Sequence, residues 1–124
     1  MSKPEVFDQT AALARLDGDS ELLWELVTLF LDDYPRLLEE INEAIVRGDS
    51  QALARAAHSL KGAVGAFAAE RAFAAALTLE QMGKTGDLTQ AEEAYASLEK
   101  ELEALESAFA ALKARPPTAD CRRS

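Results

Sequence analysis

The step Gly-Asp occurs three times in this chain, at 18–19, 48–49 and 86–87, and it constrains the fold more than any other feature. Glycine is favoured just past the end of a helix, where the backbone turns left-handed, and aspartate is favoured just before the next helix, where its carboxylate accepts from free amide groups. A stop followed at once by a start predicts helices in series with very short connections. The residues between the steps agree. The chain holds 25 Ala and 18 Leu among 124 residues, against 6 Gly and 4 Pro. Ala and Leu lose least on entering a helix, and β-branched residues, which favour sheet, are few.

Five helices are expected. The first is capped by Asp8 and ends near Leu16, before the turn Asp17-Gly18-Asp19. The second runs from Asp19 or Ser20 to about Arg47, with Leu22, Leu23, Leu26, Leu29, Phe30, Leu37, Ile41 and Ile45 at spacings of three and four. Pro35 lies inside it and is expected to kink or break it, since its ring removes one hydrogen bond and crowds the Leu31 carbonyl. The third helix spans about Ser50 to Phe67, the fourth Glu70 to Lys84, and the fifth Leu88 to Leu112 with a stripe of Leu98, Leu102, Leu105 and Phe109. Short connections between long amphipathic helices give an all-α fold: an antiparallel up-down four-helix bundle with a short additional N-terminal helix. Residues 6–113 form the bundle, 1–5 an N-terminal extension, and 114–124 a Pro- and Arg-containing tail expected to be disordered. Trp24 and Phe73 are expected in the core.

Several function classes are disfavoured. One cysteine admits no intramolecular disulfide, which suits a reducing, cytoplasmic compartment. One histidine and one cysteine leave little for a zinc site. A formal charge of -9 speaks against nucleic acid or anionic lipid as the main partner. No apolar run is long enough to span a membrane, and Met1-Ser2-Lys3-Pro4-Glu5 does not read as a secretory signal. Nothing demands more than a monomer. The acid pairs Asp32-Asp33, Glu39-Glu40 and Glu92-Glu93 read as solvated helix faces. Cys121 falls in the tail.

The third helix carries the one histidine. Leu53, Ala57, Leu60, Val64 and Phe67 are spaced 4, 3, 4 and 3, a single apolar seam. His58 points roughly 140° from the middle of that seam, toward solvent or a partner. Gly62 and Gly65 fall within roughly 40° of it on the same wheel. Each costs about 1 kcal/mol relative to Ala in a helix interior, so their use beside His58 suggests a surface kept clear for close approach. Arg55 and Lys61 flank this face. The stretch 50–79 carries a charge of +2 while the rest of the chain sums to -11. A small basic island around an imidazole suits an anion such as a phosphoryl group.

Ala57-His58-Ser59-Leu60-Lys61-Gly62 resembles the signature of histidine-containing phosphotransfer (HPt) domains, the relay modules of multistep phosphorelays. Leu13-Ala14-Arg15-Leu16-Asp17-Gly18-Asp19, the Phe30-to-Pro35 stretch, Arg47-Gly48-Asp49, and Leu79-Glu80 followed by Gly86-Asp87 extend the resemblance over about residues 6 to 112. It implies a four-helix bundle with an exposed phosphoacceptor, His58, whose Nε2 attacks phosphorus. By the same resemblance Lys61 attracts and partly neutralises the phosphoryl group, Gly62 gives the receiver access, and Glu80 either orients the imidazole through Nδ1 or is a plain solvated residue. Arg55 and Gly65 would border the phosphoryl environment, and Leu13 and Leu16 would offer apolar surface to the receiver. The implied partners are response-regulator receiver domains and a sensor histidine kinase, with Mg²⁺ supplied by the receiver and no cofactor or metal bound here. Members often carry Gly where this chain has Ala68, and Asn where it has Ala66; both lie in the turn after the helix.

The expected role is therefore a phosphorelay intermediate, free-standing or part of a hybrid sensor kinase. The phosphoacceptor domain of a chemotaxis-type kinase and a helical adaptor without phosphotransfer are alternatives. No ATP-dependent kinase activity is expected. Gly83-Lys84-Thr85 mimics the end of a phosphate-binding loop, but the glycine required five residues earlier is Thr78 and no strand precedes it.

Overall fold

A computed structural model describes residues 9–114 as five helices: α1 (Gln9–Arg15), α2 (Ser20–Arg47), α3 (Ser50–Gly65), α4 (Glu70–Thr85) and α5 (Ala91–Ala114). The Asp8 cap, the N-terminal extension and, Ala114 apart, the C-terminal tail lie outside the described residues. The helices α2 to α5 pack in chain order, α5 returns to α2, and α1 rests on α2.

The Gly-Asp steps form as their chemistry requires. Gly18, Gly48 and Gly86 all have positive φ, and the Gly48 and Gly86 amides close the ends of α2 and α4 onto preceding carbonyls. Asp19 accepts from the Leu22 amide at 3.0 Å and Asp49 from Ala52 at 3.1 Å, each N-cap contributing about 1 kcal/mol. Asp87 behaves differently. It accepts from the Thr89 amide at 3.1 Å and from the Thr89 hydroxyl, so it organises a turn over 87–90. Helix α5 consequently starts at Ala91 rather than Leu88, and Leu88 packs half-buried against the core.

The helix α2 runs unbroken through Pro35, whose ring lies on an exposed face. Its buried residues are Leu23, Val27, Phe30, Tyr34, Leu37, Ile41 and Ala44, alternately four and three apart. That register turns Leu22 and Leu29 outward, correcting their expected place in the apolar stripe; Leu29 is 63 % exposed. Phe30, Phe67 and Phe109 meet edge to face at centroid distances of 5.1 to 6.2 Å, with Tyr34 stacked on Phe30 at 5.1 Å. The expected α5 stripe of Leu98, Leu102, Leu105 and Phe109 is buried throughout.

The α3–α4 pair is the closest in the bundle. A Cβ built on Gly83 would lie 2.6 Å from the Ala54 amide nitrogen and 2.7 Å from the Ser50 carbonyl oxygen. Only a residue without a side chain lets the two backbones approach so far. Glu80, one turn before Gly83, is thereby set against α3 near His58, one turn after Ala54.

The turn leaving α3 contains the position flagged by the resemblance. Ala68 has φ +56°, the left-handed conformation that glycine adopts at no cost. The Ala69 amide bonds back to the Val64 carbonyl at 3.3 Å and the Ala68 amide to Gly65 at 3.1 Å, the hydrogen-bond pattern that closes a helix end around a left-handed residue.

Candidate functional site

The seam Leu53, Ala57, Leu60 and Val64 on α3 is fully buried, and Phe67 beyond it is almost so. His58 is thereby turned outward, with 67 % of its side chain exposed. Its Nδ1 lies 2.9 Å from Glu80 Oε2. Gly62, one turn on, is exposed, and a Cβ there would meet no atom within 4 Å.

Glu80 is the buried charge of the site, its side chain only 3 % exposed. It is not a solvated surface residue. Lys61 Nζ sits 2.7 Å from Oε1, and Lys84 Nζ 3.3 Å from Oε2, the oxygen that faces His58. The Lys61 ammonium, above all, brings the Glu80 carboxyl down to about 2 against the opposing effect of burial; His58 and Lys84 add to the lowering. The ionised carboxylate has only acceptor oxygens, so Nδ1 is the donor of the contact. A neutral ring protonated at Nδ1 keeps a lone pair on Nε2, its outer nitrogen. Two ammonium groups against one carboxylate leave this corner a net positive charge.

The other expected residues are distributed more widely. Arg55 lines a groove between α2 and α3 with Glu40, Glu43, Arg47 and Ser59 and does not meet Glu80. Arg71, the third base of the +2 stretch, pairs with Glu101 on α5 at 2.9 Å. Gly65 is half-buried: a Cβ there would touch the Phe73 ring at 3.4 Å, and its carbonyl accepts from Arg15. Leu13 and Leu16 are half-buried against the core. Asp33 and Glu40, from two of the acid pairs, bind Arg36 at the surface.

Two residues of the site escaped sequence reasoning. Phe73 is not in the core: it is 37 % exposed, with Lys61 Nζ 5.8 Å from its ring centre. Its seven-residue separation from Glu80 places both on nearly one helical face, a signal available beforehand. Lys84 was legible as an i,i+4 partner of Glu80, had the buried carboxylate been known. Trp24, expected inside, packs half-buried against the core.

Comparisons with known proteins bear on the family and the fold. A model of the Hpt domain family matches residues 25–108. The crystal structure of histidine-containing phosphotransfer protein B (HptB) from Pseudomonas aeruginosa PAO1 has the same fold, with a TM-score of 0.83 at 23 % sequence identity, covering 91 % of this chain and 98 % of that one. No curated protein sequence matches the chain at a significant level.

Proposed function

The chain belongs to the Hpt domain family, phosphotransfer modules that act with receiver domains and kinases in two-component phosphorelays, and from that premise we propose that His58 is its phosphoacceptor. His58 takes a phosphoryl group from the aspartyl phosphate of one receiver domain and passes it to an aspartate of another. The observation that carries this reading is the exposed imidazole backed, 2.9 Å away, by a buried and ionised Glu80.

The Nε2 lone pair attacks phosphorus in line. The bond between phosphorus and the receiver's aspartyl oxygen breaks, its electron pair restores the carboxylate, and the Nε2–P bond forms. No proton has to leave, because Nδ1 already holds the only ring proton. The phosphorylated ring then carries a positive charge, which the Glu80 carboxylate faces directly. Such a transfer depends on positioning and charge compensation more than on covalent assistance. Gly62 leaves the space beside the ring open to a receiver. The exposed Phe73 and Leu29 offer apolar surface on α4 and α2, together with the partly exposed Leu13 and Leu16. The receiver brings Mg²⁺; this chain contributes the nucleophile and cations. It acts as a monomer in the cytoplasm, a reducing compartment that its single cysteine suits; among the described residues no helix is long and apolar enough to cross a membrane.

The test is incubation with a phosphorylated receiver and Mg²⁺, comparing wild type with His58→Gln for acid-labile, alkali-stable phosphate. Wild type is expected to take up label and the variant none. Equal labelling of the variant would place the acceptor elsewhere.

A further inference from the structure

Two lysines meet Glu80, and they meet it differently. Lys61, on α3, is only 20 % exposed, with Nζ 2.7 Å from Oε1 and its ammonium near the Phe73 ring. Lys84, on α4, is 67 % exposed and stands 3.3 Å from Oε2. That oxygen also accepts from His58 Nδ1 at 2.9 Å, so the Lys84 ammonium can be no farther from Nδ1 than the sum of the two distances.

We infer that Lys84, rather than Lys61, is the cation this chain offers to a phosphoryl group on His58, and that Lys61 is a positioning residue that holds Glu80 beneath the ring. The inference rests on the phosphotransfer reading above and assigns the charges within it. Swinging Lys61 out to the phosphoryl group would leave Oε1 buried without its counter-ion, and a stranded buried charge is costly. Lys84 has no such tie. Its contact is the longer of the two, 3.3 Å against 2.7 Å, and its ammonium end lies in solvent, so that end can rehydrate when it leaves Oε2. Its four-carbon stem lets the ammonium turn toward negative charge arriving at the outer edge of the imidazole. No bond is made or broken at either lysine and no proton moves; one ammonium exchanges a carboxylate contact for a phosphoryl contact. The one positive charge left over in this corner is thus carried by the exposed side chain.

The experiment uses the full chain and phosphoramidate, a small donor that needs no receiver: its P–N bond breaks, ammonia leaves, and the Nε2–P bond forms. Phosphorus NMR follows the rate of phosphohistidine formation and the pH midpoint of the phosphoryl group's second ionisation. Lys84→Met is expected to slow formation about 3- to 10-fold and to raise the midpoint by about half a pH unit. Lys84→Arg is expected to retain both values. Lys61→Met is expected to lower the melting temperature. Unchanged rate and midpoint in Lys84→Met would overturn the assignment, as would a raised midpoint in Lys61→Met at an unchanged melting temperature. If wild type, like His58→Gln, forms no phosphohistidine, the phosphotransfer reading itself fails. Phosphohistidine in wild type with an indifferent Lys84 sinks only the division of labour between the lysines.

Discussion

Replacing Gly83 with alanine should destabilise the protein, although alanine is the better helix former. A Cβ at this position lies 2.6 Å from Ala54 N, 2.7 Å from Ser50 O and 2.9 Å from Ala54 Cα. Moving from 2.6 Å to the 3.4 Å of ordinary contact requires a shift of roughly 0.8 Å. The opposing atoms are all backbone, so no side chain can turn aside. Overpacking of this kind costs about 3 kcal/mol, the upper end of the usual range, and the gain in helix propensity returns about 1 kcal/mol. The net loss of about 2 kcal/mol corresponds to a fall of about 8 °C in melting temperature at about 4 °C per kcal/mol. Gly62→Ala is the control. Its Cβ enters open space, so the propensity gain is uncompensated and the variant should melt about 2–4 °C higher. Thermal and urea unfolding followed by circular dichroism measures both. A Gly83→Ala variant as stable as wild type would refute the backbone contact between α3 and α4. Because α4 also carries Glu80, a second readout applies: nitrogen NMR of the His58 ring should report a smaller Nδ1–H tautomer population as the helices part.

Glu80 links the site to acid stability. Its folded-state pKa is lowered from 4.5 to about 2, so its contribution is fully present above the unfolded value and is lost as pH falls through that interval toward about 2; in Glu80→Gln, the acid limb of a stability–pH curve should flatten between those values, and an unchanged limb would contradict the ionised, buried carboxylate. Ala68→Gly should raise stability by about 0.5 kcal/mol, because relief of a left-handed alanine at φ +56° is worth about 1–2 kcal/mol and the lost buried methyl costs about 0.8 kcal/mol. A clear loss in urea unfolding would mean that Ala68 is held by packing and not strained by its backbone.

The bundle was legible because its boundaries are set by local chemistry. A Gly that turns left-handed and an Asp that accepts from the third residue on act within one turn of helix, and at Gly18-Asp19 and Gly48-Asp49 nothing distant overrides them. Asp87 departed from the pattern because Thr89 supplies a nearer donor pair. The outward direction of His58 was likewise a property of its own helix, fixed by the seam beneath it. What resisted sequence reasoning depends on the neighbouring helix. The α4 segment Ala72-Phe73-Ala74-Ala75-Ala76 has almost no apolar contrast around its circumference, so its one aromatic looked like the anchor of a core that alanines in fact form. Gly83 drew notice only through a phosphate-loop likeness that Thr78 rules out, since only the opposing backbone of α3 reveals why a side chain is excluded. Glu80 stood undecided between solvent and His58 for the same reason: burial of a carboxylate becomes legible only when its counter-ions are known.

Those counter-ions determine which nitrogen of His58 is free. Burial alone would push the Glu80 carboxyl upward and so favour its protonated form. A protonated Glu80 can donate to Nδ1; the ring proton would then sit on Nε2, and the outer nitrogen would lose its lone pair. Lys61, 2.7 Å from Oε1, is the largest influence against that outcome. On the proposed role of His58, a residue that never touches phosphorus thus sets the nucleophile by fixing the charge of a second residue. The cost of burying Glu80 and Lys61 together is offset in part by their short contact, whereas removing either one strands the other. Exposed Lys84 is under no such constraint. The interior pair fixes the tautomer, which leaves the surface lysine free to respond to whatever charge arrives at Nε2.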